Sequence, residues 1–178
     1  SIANSPNLFA HNSSNIKNMN LKPIFYTLEE WSFQLQTFIQ SFLLVFFVFL
    51  FFQSELIINL LLYSWIPLLN LFIFIYWFPV VVCLISVRFT DIAQLVPIVL
   101  QLVFLTSPIL YMKESLGSLG WITDLNFIYQ ILDPLRVSII NGSISYQNSI
   151  LLLIFNFIGL IFAIKLLNWE SKRLPFLL

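Results

Sequence analysis

Polar residues interrupt the apolar pattern of this chain at only a few places, and those places divide it into runs. Residues 33–53 carry no charge and are dominated by Phe, Leu and Val, until Gln53, Ser54 and Glu55 break the run. A second run, residues 56–86, holds Pro67 and Pro79. Its membrane-depth part is expected at 63–86, with Leu56–Tyr63 either an interfacial approach or an extension of that helix. Arg88–Asp91 interrupts again, a third run covers 92–112, and the last covers 149–167. Between them, residues 113–148 mix charges, glycines and short apolar patches. A bilayer core of about 30 Å takes roughly 20 apolar residues of helix, so the pattern predicts four spans, at about 33–53, 63–86, 92–112 and 149–167. In hydrocarbon every backbone group must be paired within the segment, which favours helix even for Phe, Ile and Val. The alternating segments of about ten residues that mark a β-barrel do not occur.

Composition strengthens this picture. Apolar residues make up 60% of the chain and charged ones 9%, against roughly a quarter charged in soluble domains. A single water-soluble core cannot hide that much apolar surface. The expected fold class is therefore an all-α integral membrane protein, one transmembrane domain over 1–178. Formal net charge is zero, which gives nucleic acid no basic patch to bind. The single cysteine, Cys83, excludes a disulfide framework and reads as a buried thiol. The chain opens on Ser1 without the features of a signal peptide, and it is expected to be a fragment that lacks its N-terminus.

Charge sets an orientation. If the first 30 residues are cytoplasmic, that side receives Lys17, Lys22, Arg88, Lys165, Lys172 and Arg173, and the other side only Lys113 and Arg136. Four crossings with that bias satisfy the positive-inside rule. They place 113–148 outward and the C-terminus in the cytoplasm. Thr27-Leu28-Glu29-Glu30 fits a capping box and predicts the start of the first span. Trp31, Tyr63, Trp65, Tyr76, Trp77, Tyr111, Trp121 and Trp169 are expected mostly near span ends, as an interfacial belt, with a minority free to stack on a sugar-like cargo.

Catalytic constellations are scarce. His11 is the only histidine, so no two-histidine metal site is expected. Neither a P-loop nor a G-x-G-x-x-G occurs. No catalytic residue, cofactor or metal is expected. Asp124 and Asp133 read as solvated acids rather than a catalytic pair.

What remains is polarity at membrane depth, which is costly and usually faces a bundle interior or a watery path. Gln94 and Gln101 are seven apart and share one helix face. Pro97 falls near that face, and Pro108 loosens the far end of the same helix. Two readings stay open: a bendable polar stripe lining a path, or ordinary hydrogen bonding between spans. Arg88 and Asp91 are expected at a cytoplasmic turn, Asp91 capping the third span with Gln94 at its N3 position, and Arg88 pairing with Asp91 or with lipid phosphate.

Four stretches resemble a known family. They are Ser14-Asn15-Ile16-Lys17-Asn18-Met19-Asn20-Leu21, a basic stretch; Arg88-Phe89-Thr90-Asp91 followed by Gln94-Leu95-Val96-Pro97 and Gln101; Ser107-Pro108-Ile109-Leu110-Tyr111; and Leu125-Asn126 with Asp133 and Arg136. In order and spacing they are similar to the membrane subunit of ABC-2 type exporters, in the branch that moves polysaccharides and polyol phosphates such as O-antigen, capsule and teichoic acid. The chain departs from the family pattern at Leu21-Lys22-Pro23, where Pro is shifted by one residue. It also has Phe127 in place of Pro and Asp133 in place of Glu.

The resemblance implies a six-span permease of which this chain supplies the end of the second span and the last four. It implies a homodimer with a pore along its interface, driven by two copies of a separate ABC ATPase subunit and carrying a lipid-linked glycan. It assigns ATPase coupling to Asn15, Ile16, Lys17, Asn18, Lys22 and Pro23, and pore-facing positions to Gln94, Pro97, Gln101, Pro108 and Tyr111. An outward gate of short helices within 113–148 would include Asn126, Asp133 and Arg136. Drug- or lipid-exporting ABC-2 permeases, and membrane-embedded glycan or lipid transferases, are the rival classes. The roughly 36 residues of 113–148 are too few for the large outward domain common in the drug and lipid branch.

Overall fold

The computed structural model describes residues 2–18, 21–107 and 126–177. Every regular element among the described residues is helical. A 3-10 turn at Ser5–Asn7 leads into α1 (Leu8–His11) and α2 (Ser13–Asn18), with the chain bending at Asn12. Then come α3 (Pro23–Phe52), α4 (Ser54–Tyr63), α5 (Trp65–Arg88) and α6 (Thr90–Thr106). After the undescribed stretch follow α7 (Phe127–Asn141), α8 (Tyr146–Glu170) and α9 (Leu174–Leu177).

Three helices, α3, α5 and α8, are long and apolar enough to cross a membrane. With 30, 24 and 25 residues, they reach about 45, 36 and 37 Å at 1.5 Å per residue. The expected span at 92–112 appears as α6, whose 17 described residues rise only about 26 Å. Residues 108–112 of that span lie outside the described residues. The short helices expected within 113–148 are represented by α7; residues 113–125 are likewise not described.

Helix ends follow local chemistry. Lys22 is extended and Pro23 takes the first turn of α3, where a missing N–H costs nothing and φ is already helical. The helix therefore begins about ten residues before the expected span, and Thr27 lies inside it. The capping-box expectation is overturned: the Thr27 hydroxyl donates back to the Ile24 carbonyl at 2.9 Å, the i−3 bond typical of an interior threonine. Glu30 instead accepts from Gln34 Nε2 at 2.8 Å. Gln53, at φ −149° and ψ 74°, separates α3 from α4. Ser64 separates α4 from α5, with Pro67 just inside the new helix. Residues 56–63 thus belong to a separate helix, neither fused to α5 nor part of its span. Gly142, at φ 61°, closes α7 in the left-handed conformation that glycine adopts without steric cost.

The core is centred on α5. It lies along α8 for most of its length, and the Ser5–Asn7 turn, α1, α3, α6 and α7 also touch it. α4 packs against α7, and α9 against α2. Phe9, Leu71, Phe74, Trp77, Val80, Cys83, Ala163 and Leu167 are all buried in this core. Tyr76 and Trp77 therefore sit inside the bundle in the middle of α5, not at its end, whereas Trp65 and Trp169 are exposed at helix ends as a belt requires.

The C-terminal ends of α5 and α8 meet at the Arg88–Glu170 pair, α9 packs against α2, and the first turns of α3 pack against the middle of α5. The joined ends of α5 and α8 carry Arg88, with Lys172 and Arg173 directly after α8 and Lys165 about a turn before its end; Lys17 lies in the last turn of α2 and Lys22 just before α3.

Candidate functional site

Two classes of polar residue occur along the apolar helices, and the structure treats them differently. The first class is sealed inside. On α5, Asn70 and Trp77 are seven residues apart; on α8, Ser149 and Asn156 are seven apart, so each pair shares a face. Asn70 Nδ2 donates to the Ser149 carbonyl at 2.9 Å. Trp77 Nε1 donates to Asn156 Oδ1 at 3.0 Å. Asn156 Nδ2 donates to the Asn70 carbonyl and to Asn70 Oδ1, both at 3.3 Å. Both asparagines are at most 1% exposed. Gly159 lets the indole of Trp77 lie on the α8 backbone: a Cβ there would stand 2.5 Å from Trp77 Cε2. Small residues and interhelical hydrogen bonds of this kind hold helices together in lipid. A second tie joins α4 to α7, where Ser64 and Ser138 hydroxyls meet at 2.9 Å and Asn59 Nδ2 donates to the Ile139 carbonyl at 3.1 Å.

The second class faces outward; it includes Gln36 and Gln40 on α3 and the polar residues of α6. None of the residues of α6 is buried. Gln94, Pro97 and Gln101 are exposed, and neither glutamine has a hydrogen-bond partner among the described residues. Pro97, Leu100, Gln101, Phe104 and Leu105, with Ala3, line an open groove of about 510 Å³. The structure therefore brings Pro97 and Gln101 to one groove, and does not bury either glutamine between helices of the same chain. Pro108 and Tyr111 lie outside the described residues.

Arg88 and Asp91 are placed otherwise than expected. Phe89, extended at φ −127° and ψ 93°, is the residue before α6, and no side chain caps the helix. Asp91 falls in the first turn, where its charge still suits the helix dipole. The partner of Arg88 is Glu170 at the end of α8, with Nη2 to Oε1 at 2.9 Å. The Glu170 side chain is 8% exposed and that of Arg88 46%. Trp169 lies beside this pair: the Arg88 guanidinium carbon is 5.9 Å, and that of Arg173 5.0 Å, from the indole centroid.

Of the stretch 15–23, Asn15, Lys17, Asn18 and Lys22 are exposed, while Ile16 and Pro23 are buried. The apolar pair anchors the segment and the polar residues face out. On α7, Asn126 is the N-cap: its Oδ1 accepts from the backbone N–H of Ile128 and Tyr129 at 3.1 and 3.2 Å. Its Nδ2 reaches α6, donating to the Val103 carbonyl at 2.9 Å. Asp133 borders a groove of about 430 Å³ together with Tyr129, Gln130, Asn148 and Leu151. Arg136 is exposed on the same helix. No group of three His, Cys, Asp or Glu that could hold a metal comes together among the described residues.

Sequence reasoning missed the seam of Asn70, Trp77, Asn156 and Gly159, and the partner Glu170. A signal was present for the seam, since Asn70 and Asn156 are isolated amides inside long apolar runs. Nothing local pointed to Glu170, which is 82 positions from Arg88.

The class these elements define is a membrane-spanning helical bundle, its long helices joined by buried amides. No family model and no curated protein matches the chain.

Proposed function

We propose that this chain is the membrane permease subunit of an ATP-driven ABC exporter of the ABC-2 class, moving a lipid-linked polysaccharide or polyol phosphate across the cytoplasmic membrane. The observation that carries this reading is α6. Its glutamines are exposed and unpartnered among the described residues, while the asparagines of α5 and α8 are fully paired. An amide facing hydrocarbon is costly. The Gln94 and Gln101 face therefore meets water, cargo hydroxyls or the same face of a second copy, and a pore between two copies provides all three. Pro97 softens the helix that lines it; the family resemblance assigns Pro108 and Tyr111, outside the described residues, to the same lining.

The basic end is read as cytoplasmic by the positive-inside rule, with the C-terminus on that side. Asn15, Lys17, Asn18 and Lys22, held by buried Ile16 and Pro23, are the surface that receives two copies of a separate ABC ATPase. Arg88 and Asp91 mark the cytoplasmic turn into the pore helix. Asn126, Asp133 and Arg136 belong to the outward gate, Asn126 tying α7 to the pore helix. ATP hydrolysis resides on the partner, and this chain is not an enzyme.

The test is isolation of the tagged chain from its native membranes. A P-loop ATPase should be recovered with it in comparable amount. Lys17→Gln with Lys22→Gln should lower that recovery several-fold and reduce export of surface glycan. Recovery without an ATPase, or together with glycan-transferring activity in the purified chain, would instead favour a membrane-embedded transferase.

A further inference from the structure

The chemistry at the end of α8 is not used by the export reading. Arg88 and Arg173 converge there on Trp169, the exposed Lys172 lies between Glu170 and Arg173 in the chain, and Glu170 is the one acid paired with them among the described residues, leaving positive charge in excess. Glu170 is buried and grips one guanidinium nitrogen of Arg88, so the half-exposed head is fixed with its other N–H groups free to point outward. Both arginines flank one indole, Trp169, which is 58% exposed. Immediately beyond, α9 presents Phe176 at 90% exposure and Leu177 at 46%, held to the bundle by buried Leu174.

We infer that the Arg88–Trp169–Arg173 cluster, with Lys172, is a binding site for the phosphate of an anionic membrane lipid. Guanidinium groups present forked donors that match phosphate oxygens. Two other features select a lipid over a soluble anion. The cluster ends helices long enough to span a bilayer, at the level where headgroups lie. Exposed Trp and Phe beside the cations would sink into the acyl boundary, as they do in interfacial anchors. Nothing in this site depends on the chain's being an exporter.

The test is native mass spectrometry of the full chain released from mixed phosphatidylglycerol and phosphatidylcholine vesicles. Phosphatidylglycerol should be retained in preference, and inorganic phosphate at millimolar concentration should not displace it. Each cation near an anionic surface contributes about 1 kcal/mol, or about fivefold, so Lys172→Gln with Arg173→Gln should lower retention by about 30-fold. That variant leaves the Arg88–Glu170 pair intact, and an unchanged melting temperature shows that it has folded. Arg88→Gln should also lower retention, and its thermal midpoint separates lost binding from lost fold. Equal retention of both lipids, or retention unaffected in Lys172→Gln with Arg173→Gln, would overturn the assignment. Displacement by inorganic phosphate would make this a free-anion site and also overturn it. Unaffected lipid retention with reduced recovery of a protein partner would move the cluster to a protein interface.

Discussion

Asn156 is the residue on which the α5–α8 seam turns. Its oxygen accepts from Trp77 and its nitrogen donates twice to Asn70. Replacing it by alanine strands the indole N–H and the Asn70 amide in a buried site. Interhelical hydrogen bonds in membranes average about 0.6 kcal/mol, so Asn156→Ala should cost about 1–2 kcal/mol, read as a lowered thermal midpoint in detergent. Gly159→Ala tests the other half of the seam. A Cβ 2.5 Å from the Trp77 ring must push the indole or the helix aside, and overpacking of this kind costs about 1–3 kcal/mol. A midpoint unchanged in Gly159→Ala would mean that Trp77 does not rest on α8 as described. Cys83 gives a useful contrast. It is buried, as its position mid-run implied, and it takes no part in the Asn70–Trp77–Asn156 seam.

At the scale of elements, helix ends record which local signals prevail. Pro23 started α3, not Thr27, because a proline in the first turn fixes the backbone directly while a threonine hydroxyl has an alternative acceptor at i−3. Asn126 did act as a cap, and its amide nitrogen also reaches α6. Asn126→Ala should therefore cost about 1 kcal/mol in capping and loosen α7 from α6. Hydrogen exchange in the first turn of α7 should rise while exchange in α8 stays constant. Unchanged exchange in α7 would contradict the cap.

That three long helices form was legible because apolar length demands them, although α3 starts at Pro23, about ten residues before its apolar run. The break at Ser64 was legible only as one of two alternatives for 56–63, because the buried contact made there, to Ser138, joins positions 74 apart. The same reason hid Glu170. A charge in the tail gave no sign that it would fold back under Arg88.

For the whole molecule, that ion pair fastens the end of α5 to the end of α8. Its two members should not be equivalent. Arg88→Gln leaves the buried Glu170 carboxylate uncompensated, which should cost about 2 kcal/mol, below the 3–5 kcal/mol of a fully buried pair because Arg88 is half exposed. Glu170→Gln keeps a hydrogen-bond acceptor and frees a guanidinium that water can reach, so its cost should be smaller. Equal midpoints for the two variants would contradict this asymmetry. The larger division is between an interior whose amides are paired and amides that face outward, those of α6 together with Gln36 and Gln40 of α3.

Cysteine accessibility tests that division most directly. In a Cys83→Ser background and native membranes, single cysteines would be introduced at Gln94 and Gln101, and at Leu95 and Val99, which are exposed on other sides of the same helix. A membrane-impermeant maleimide should label positions 94 and 101 and leave 95 and 99 unmodified. Failure to label 94 and 101, or equal labelling of all four, would show that the glutamine face of α6 does not line a polar path.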